Sequence, residues 1–94
     1  MFYVYIIYSK NIDAFYVGQT MDVETRIEDH NSKFYNQAST SKANDWEIFH
    51  CIKCHTRTQA ILIERHIKNM KSRKYFGSLK LYPEISLKLL EKYK

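Results

Sequence analysis

Seven residues near the start, Phe2-Tyr3-Val4-Tyr5-Ile6-Ile7-Tyr8, constrain the fold more than any other part of the chain. Aromatic and β-branched side chains suit a pleated, packed surface, so the run predicts a strand. Alternation places Tyr3, Tyr5 and Ile7 on one face and Phe2, Val4, Ile6 and Tyr8 on the other. Both faces are apolar enough to predict a central strand covered on both sides. A strand of that kind needs a neighbour on each edge and a layer on each face.

The rest of the chain supplies candidates for each. Ser9 to Ala14 is polar and loop-like, with Asn11 and Asp13 as turn formers, and Phe15 to Gln19 predicts a second strand completing a hairpin. Thr20 is the predicted N-cap of a helix reaching about Asn31, with Asp22 and Glu24 placing acids in its first turn. Ser32 to Asp45 has little periodicity and predicts a long surface loop. Trp46 to Cys54 regains strand character, with Trp46, Ile48, His50 and Ile52 expected on one face. Thr56 and Gln59 read as a capping box for the longest helix, about Arg57 to Ser72. No element stands out after Tyr75-Phe76-Gly77 until Pro83, which opens a last helix carrying Ile85, Leu89 and Tyr93 at helical spacing. The order β-β-α-β-α-α predicts a small α+β sandwich around a three-stranded, mainly antiparallel sheet. The length, 94 residues, predicts one domain over 1–94 with a single modest core.

The longest apolar run is too short to span a bilayer and lacks the flanks of a signal peptide, so the expectation is a cytoplasmic protein without a membrane partner. Cys51 and Cys54 do not form a disulfide framework, because strand neighbours three apart point to opposite faces. The run His50-Cys51-Ile52-Lys53-Cys54-His55 concentrates soft ligands, yet consecutive strand residues cannot wrap one tetrahedral ion. Buried or edge-strand thiols are expected there, and a zinc shared between two chains is the only workable metal version. The formal charge is +5, with Lys68, Lys71, Arg73, Lys74 and Lys80 concentrated in the second half. A clustered basic surface favours polyanions, because neutralised phosphates release counterions.

Four features can carry chemistry. Tyr5 and Tyr16 lie on hairpin-linked strands and can meet on one sheet surface. Gly18 closes the second strand before a helix start, where backbone amides can approach a phosphate. Arg26 and His30 share a helix face, and Glu64 sits among Ala60, Ile61 and Ile67. A carboxylate in an apolar seam is costly unless paired or bound to a cation. Each feature has a plainer reading: packing tyrosines, a solvated Arg26/His30 face, and a Glu64–Lys68 pair at four-residue spacing.

In order, these features resemble the GIY-YIG nucleases. Tyr3-Val4-Tyr5 stands where "GIY" would be and Tyr16-Val17-Gly18 where "YIG" would be, and the likeness continues through Arg26, His30 and the helix around Glu64 to about residue 80. The chain resembles small stand-alone members related to the N-terminal nuclease domain of the excision-repair subunit UvrC. The resemblance implies an endonuclease of DNA, with RNA left open, and a link to DNA repair. It also implies Tyr16 as general base, Tyr5 as its hydrogen-bonding neighbour, Arg26 on the scissile phosphate and His30 as proton-transfer partner. Glu64 would be the one protein ligand of magnesium or manganese. Gly18, Gln19, Lys68, Lys71, Arg73 and Lys74 would hold the nucleic acid, and a homodimer or partner protein could supply specificity. Three departures stand out: Tyr3 replaces the first glycine, Gln19 stands where a lysine is frequent, and no asparagine occurs near Phe76-Gly77-Ser78. Gln19 and the missing asparagine keep open a binding module of the same fold without turnover, and the solitary domain with its aromatic surface keeps open an accessory protein-interaction domain.

Overall fold

The first run forms β1 (Phe2–Ser9) and lies in the middle of the sheet, with order β2-β1-β3, in a computed structural model that describes residues 1–32 and 42–94. The other elements are β2 (Ala14–Thr20), α1 (Val23–Asn31), β3 (Glu47–Cys54), α2 (Arg57–Met70), α3 (Arg73–Leu81) and α4 (Pro83–Lys92). Both β1 pairings are antiparallel, as expected. The loop expected over 32–45 falls largely on residues 33–41, outside the described residues.

The two faces of β1 build two cores. Val4 and Ile6 join Val17, Ile52 and Cys54, and this face is covered by Ala60, Ile63 and Ile67 of α2, Phe76 and Leu79 of α3, and Leu89 of α4. Tyr5 and Ile7 point the other way and pack with Ala43, Trp46 and Tyr16 beneath Val23 and Ile27 of α1. One strand therefore contributes to both layers, and its alternation decides which of its residues enter each.

Four local expectations change. In β3, Ile7 pairs with Ile48 but Ile6 pairs with His50, so Phe49 is an extra residue in a bulge. The alternation reverses there: Trp46 packs with Tyr5, while Phe49 and Ile52 pack on the helical side and His50 bonds Ser86 of α4. Trp46, Ile48, His50 and Ile52 thus do not share a face, and Ile48 remains 50% exposed. Thr20 is not the N-cap of α1, because it is still paired with Tyr3 in the sheet. Asp22 caps instead, accepting from the Thr25 amide at 3.2 Å, and the Thr20 hydroxyl accepts from the Asp22 amide at 3.2 Å. The long helix stops at Met70 rather than Ser72, because Lys71 turns left-handed (φ 48°) and Ser72 caps α3 through the Tyr75 amide. That added helix fills the stretch in which no element was expected.

The capping residues of α2 behave as predicted, with one shift. Thr56 Oγ1 accepts from the Gln59 amide, but Gln59 Oε1 accepts from the His55 amide, one residue before the cap. Gln59 Nε2 also donates to the Leu90 carbonyl, fastening α4 to α2. At the other end of the sheet, Arg73 donates to the Asp13 carboxylate and carbonyl, and Tyr8 donates to Asp13 at 2.6 Å. Asp13 sits at φ 49°, a left-handed turn position that aspartate tolerates. The hairpin turn is thereby tied to the start of α3.

Candidate active site

The α1 face of the sheet gathers three of the predicted residues. Tyr5 pairs directly with Gly18 and Ile7 with Tyr16, so the two tyrosines are diagonal neighbours, with ring centroids 6.4 Å apart. His30, in the last turn of α1, closes the triangle at 6.1 Å from the Tyr5 ring and 5.1 Å from the Tyr16 ring. Its Nε2 lies 3.0 Å from the Tyr5 hydroxyl. In one tautomer the phenol donates to a bare nitrogen, and in the other the N–H donates to the phenol oxygen.

Burial separates the members of this cluster. Tyr5 is 1% and His30 2% exposed, whereas Tyr16 is half-buried. Of the three, Tyr16 alone presents itself to solvent; Tyr5 and His30 stand behind it. Burial, and after it the Arg26 guanidinium, push the His30 imidazole below its ordinary pKa against the opposing pull of Asp29. The ring is then neutral at physiological pH. His30 adds no positive charge to the site; it offers an uncharged imidazole.

Gly18 owes its identity to the same cluster. It lies buried inside β2, and a Cβ built there would fall 2.5 Å from the Tyr5 hydroxyl oxygen and 2.6 Å from Cζ. The Tyr5 ring occupies the space above it, so the glycine makes room for a tyrosine.

α2 brings Glu64 and Lys68. Glu64 is 21% exposed and lies 3.8 Å from Lys68 Nζ, one turn further along. The same ammonium is 5.8 Å from the Tyr16 ring centroid. Lys68, expected at the nucleic-acid backbone, thus lies close to both Glu64 and the Tyr16 ring. Arg26 is half-buried and lines a cavity of about 310 Å³ with Phe2, Gln19, Asp22, Asp29 and Arg57. Arg57, exposed at the first position of α2, is the cavity's second guanidinium. Lys71 and Lys74 are exposed, while Arg73 is engaged by Asp13.

Among the described residues no three His, Cys, Asp or Glu side chains group as metal ligands. The run from His50 to His55 accordingly builds no such group: Cys51 is exposed, Cys54 is buried and His50 bonds Ser86. Glu64 offers a single carboxylate. That donor set does not suit zinc, which takes several protein ligands, but it suits magnesium or manganese, which keep waters and share a carboxylate with substrate phosphate.

A three-stranded antiparallel sheet with a phenol pair backed by imidazole on one face, beside a carboxylate-bearing helix, is a small α+β scaffold presenting a tyrosine-centred site. Residues 1–76 match the GIY-YIG catalytic domain, and the chain belongs to that family, which is a family of nucleases. Comparison with curated proteins and with solved structures gives no match. No helix among the described residues is long and apolar enough to cross a membrane.

Proposed function

We propose that the chain is a divalent-metal-dependent endonuclease that hydrolyses phosphodiester bonds in DNA. The observation that carries this reading is the convergence on Tyr16 of the Tyr5–His30 pair from behind and of Lys68, adjoining Glu64, from α2. A half-exposed phenol among those groups supports reading Tyr16 as the acceptor of a proton from an attacking water.

Tyr16 is the general base in this reading. A free phenol ionises near pH 10 and is a poor base at neutral pH, so a neighbouring cation must favour its ionised form. Lys68, 5.8 Å from the centre of its ring, is the cation that this reading assigns to that part. Tyr5 and His30 are positioning residues: both are buried, and their hydrogen bond fixes the floor on which the Tyr16 ring rests. Arg26 directs positive charge toward the scissile phosphate, and Lys71 and Lys74 bind flanking phosphates, where each contact adds to salt dependence. Glu64 would hold magnesium or manganese, which polarises the phosphoryl oxygen when bound. Supercoiled, branched and single-stranded DNA are the first substrates to offer.

Purified protein incubated with supercoiled plasmid, branched DNA and single-stranded DNA, in magnesium, manganese or chelator, tests the proposal. Metal-dependent nicking is expected, with loss of about 10²–10⁴-fold in Tyr16→Phe, the range of general acid–base catalysis. Glu64→Ala should abolish the metal response. Salt-sensitive binding without cleavage by the unaltered protein refutes the enzymatic reading, and absence of binding at low salt refutes any nucleic-acid role.

A further inference from the structure

Lys68 has two partners that an ordinary solvated side chain would not share. Its ammonium lies 3.8 Å from the Glu64 carboxylate and 5.8 Å from the centre of the Tyr16 ring. The first contact alone is a four-residue helix pair of the kind that contributes little. The second reaches from α2 to β2, so one flexible cation bridges the helix that carries the carboxylate and the strand that carries the phenol.

We propose that Lys68 is a positioning residue that couples occupancy of Glu64 to the state of Tyr16. This rests on the reading of Glu64 as a divalent-cation ligand. Without a cation, the ammonium is divided between the carboxylate and the ring. A dication at Glu64 repels an ammonium at such short range, because the two positive charges compete for one carboxylate. Lys68 then leaves Glu64 and its charge is committed to the phenol side. The phenol side then gains the charge that Lys68 otherwise shares with Glu64. At 48% exposure, Lys68 has room to make this movement, whereas Glu64, at 21%, is the more fixed partner.

The coupling has a direct test without DNA. Manganese binding is followed by loss of the free-ion electron paramagnetic resonance signal in unaltered protein, Lys68→Met, Lys68→Arg and Glu64→Ala. Two unit charges 4 Å apart in water interact by about 1 kcal/mol, doubled for a dication, so removing the ammonium should tighten binding about threefold to thirtyfold. Lys68→Arg keeps the charge and should stay near the unaltered value, while Glu64→Ala should lose the site.

The second readout is the phenol. Ultraviolet difference titration against Tyr16→Phe isolates Tyr16, and Lys68→Met should raise its titration midpoint by about half a unit to two units. A lysine paired with Glu64 alone would change manganese affinity but leave the Tyr16 titration unmoved. Manganese binding by Glu64→Ala at full strength overturns this proposal and the metal reading beneath it. Loss of binding in Glu64→Ala, together with unchanged or weakened affinity in Lys68→Met, overturns the coupling alone. An unmoved Tyr16 titration in Lys68→Met likewise overturns it, leaving the nuclease reading intact.

Discussion

The chain has two glycines, and replacing each by alanine should move stability in opposite directions. At Gly18 the new Cβ would sit 2.5 Å from the Tyr5 hydroxyl oxygen, 2.6 Å from Cζ and 3.0 Å from Cε1. The ring cannot simply swing aside, because Tyr5 is fully buried and its hydroxyl is bonded to His30. Overpacking a tight core costs about 1–3 kcal/mol, and loss of the hydrogen bond about 1 more, so Gly18→Ala should destabilise by roughly 2–4 kcal/mol. In a domain of this size that corresponds to a melting temperature lower by roughly 10–30 °C. Gly77 lies in the middle of α3, and a Cβ there meets nothing within 4 Å. Gly77→Ala should therefore stabilise by about 0.5–1 kcal/mol, through helix propensity and a less disordered unfolded chain. Urea melts of both variants decide the matter. A Gly18→Ala protein within about 0.5 kcal/mol of the unaltered one, the size of an ordinary surface substitution, would refute the claim that Tyr5 is held in place.

Two further perturbations bear on how the site is held. Asn31, which ends α1, accepts from the Trp46 amide at 2.6 Å and donates to its carbonyl at 3.0 Å. Asn31→Ala should cost about 1–3 kcal/mol in urea melts for two lost bonds, and Asn31→Asp, which keeps only the acceptor, should fall between. His30, His50 and His66 all have imidazoles pushed down, chiefly by burial. As pH falls, the unfolded chain takes up protons first, near its ordinary value of about 6.5, so stability is full above that value and is lost on descending through the folded values. Asp13, Asp22 and Asp45 have carboxyls held below their usual range and act only in more acid solution, outside this window. Melting temperature should decline between pH 7.5 and 5.5; a flat profile would contradict the placement of these histidines.

The parts of the fold legible in the sequence are those governed by a short period. β1 alternates without interruption, so both of its faces could be read from seven residues, and the two cores follow that division. β3 was legible as a strand but not in register, because a bulge depends on the partner strand and leaves no mark of its own around Phe49. The break between α2 and α3 was hidden for a related reason. Its left-handed residue is Lys71 rather than the glycine or asparagine that commonly marks a helix end, and the chain's second glycine lies inside α3 instead. Thr20 and Asp22 are both good caps, and only the sheet pairing of Thr20 decides between them.

The site was legible as a set of residues but not as an arrangement in depth. Sequence order identifies Tyr5 and Tyr16 as equivalents, two phenols on neighbouring strands. The fold makes them unequal, because Tyr5 is on the central strand, where both faces are covered, and Tyr16 is on an edge strand, where cover ends. Burial in turn determines chemistry. Behind the edge, a neutral imidazole and a hydroxyl share one hydrogen bond away from solvent; at the edge, a phenol meets an ammonium from α2. The central strand fixes the first pair so firmly that Gly18 must lack a side chain, while the second pair rests on a long, half-exposed lysine. A rigid floor and an adjustable rim follow from one strand's place in the sheet. Substitutions at Tyr5, Gly18 or His30 should therefore appear first as lost stability. Those at Tyr16, Glu64 or Lys68 should appear first in metal response and pH dependence, with the melting temperature nearly unchanged.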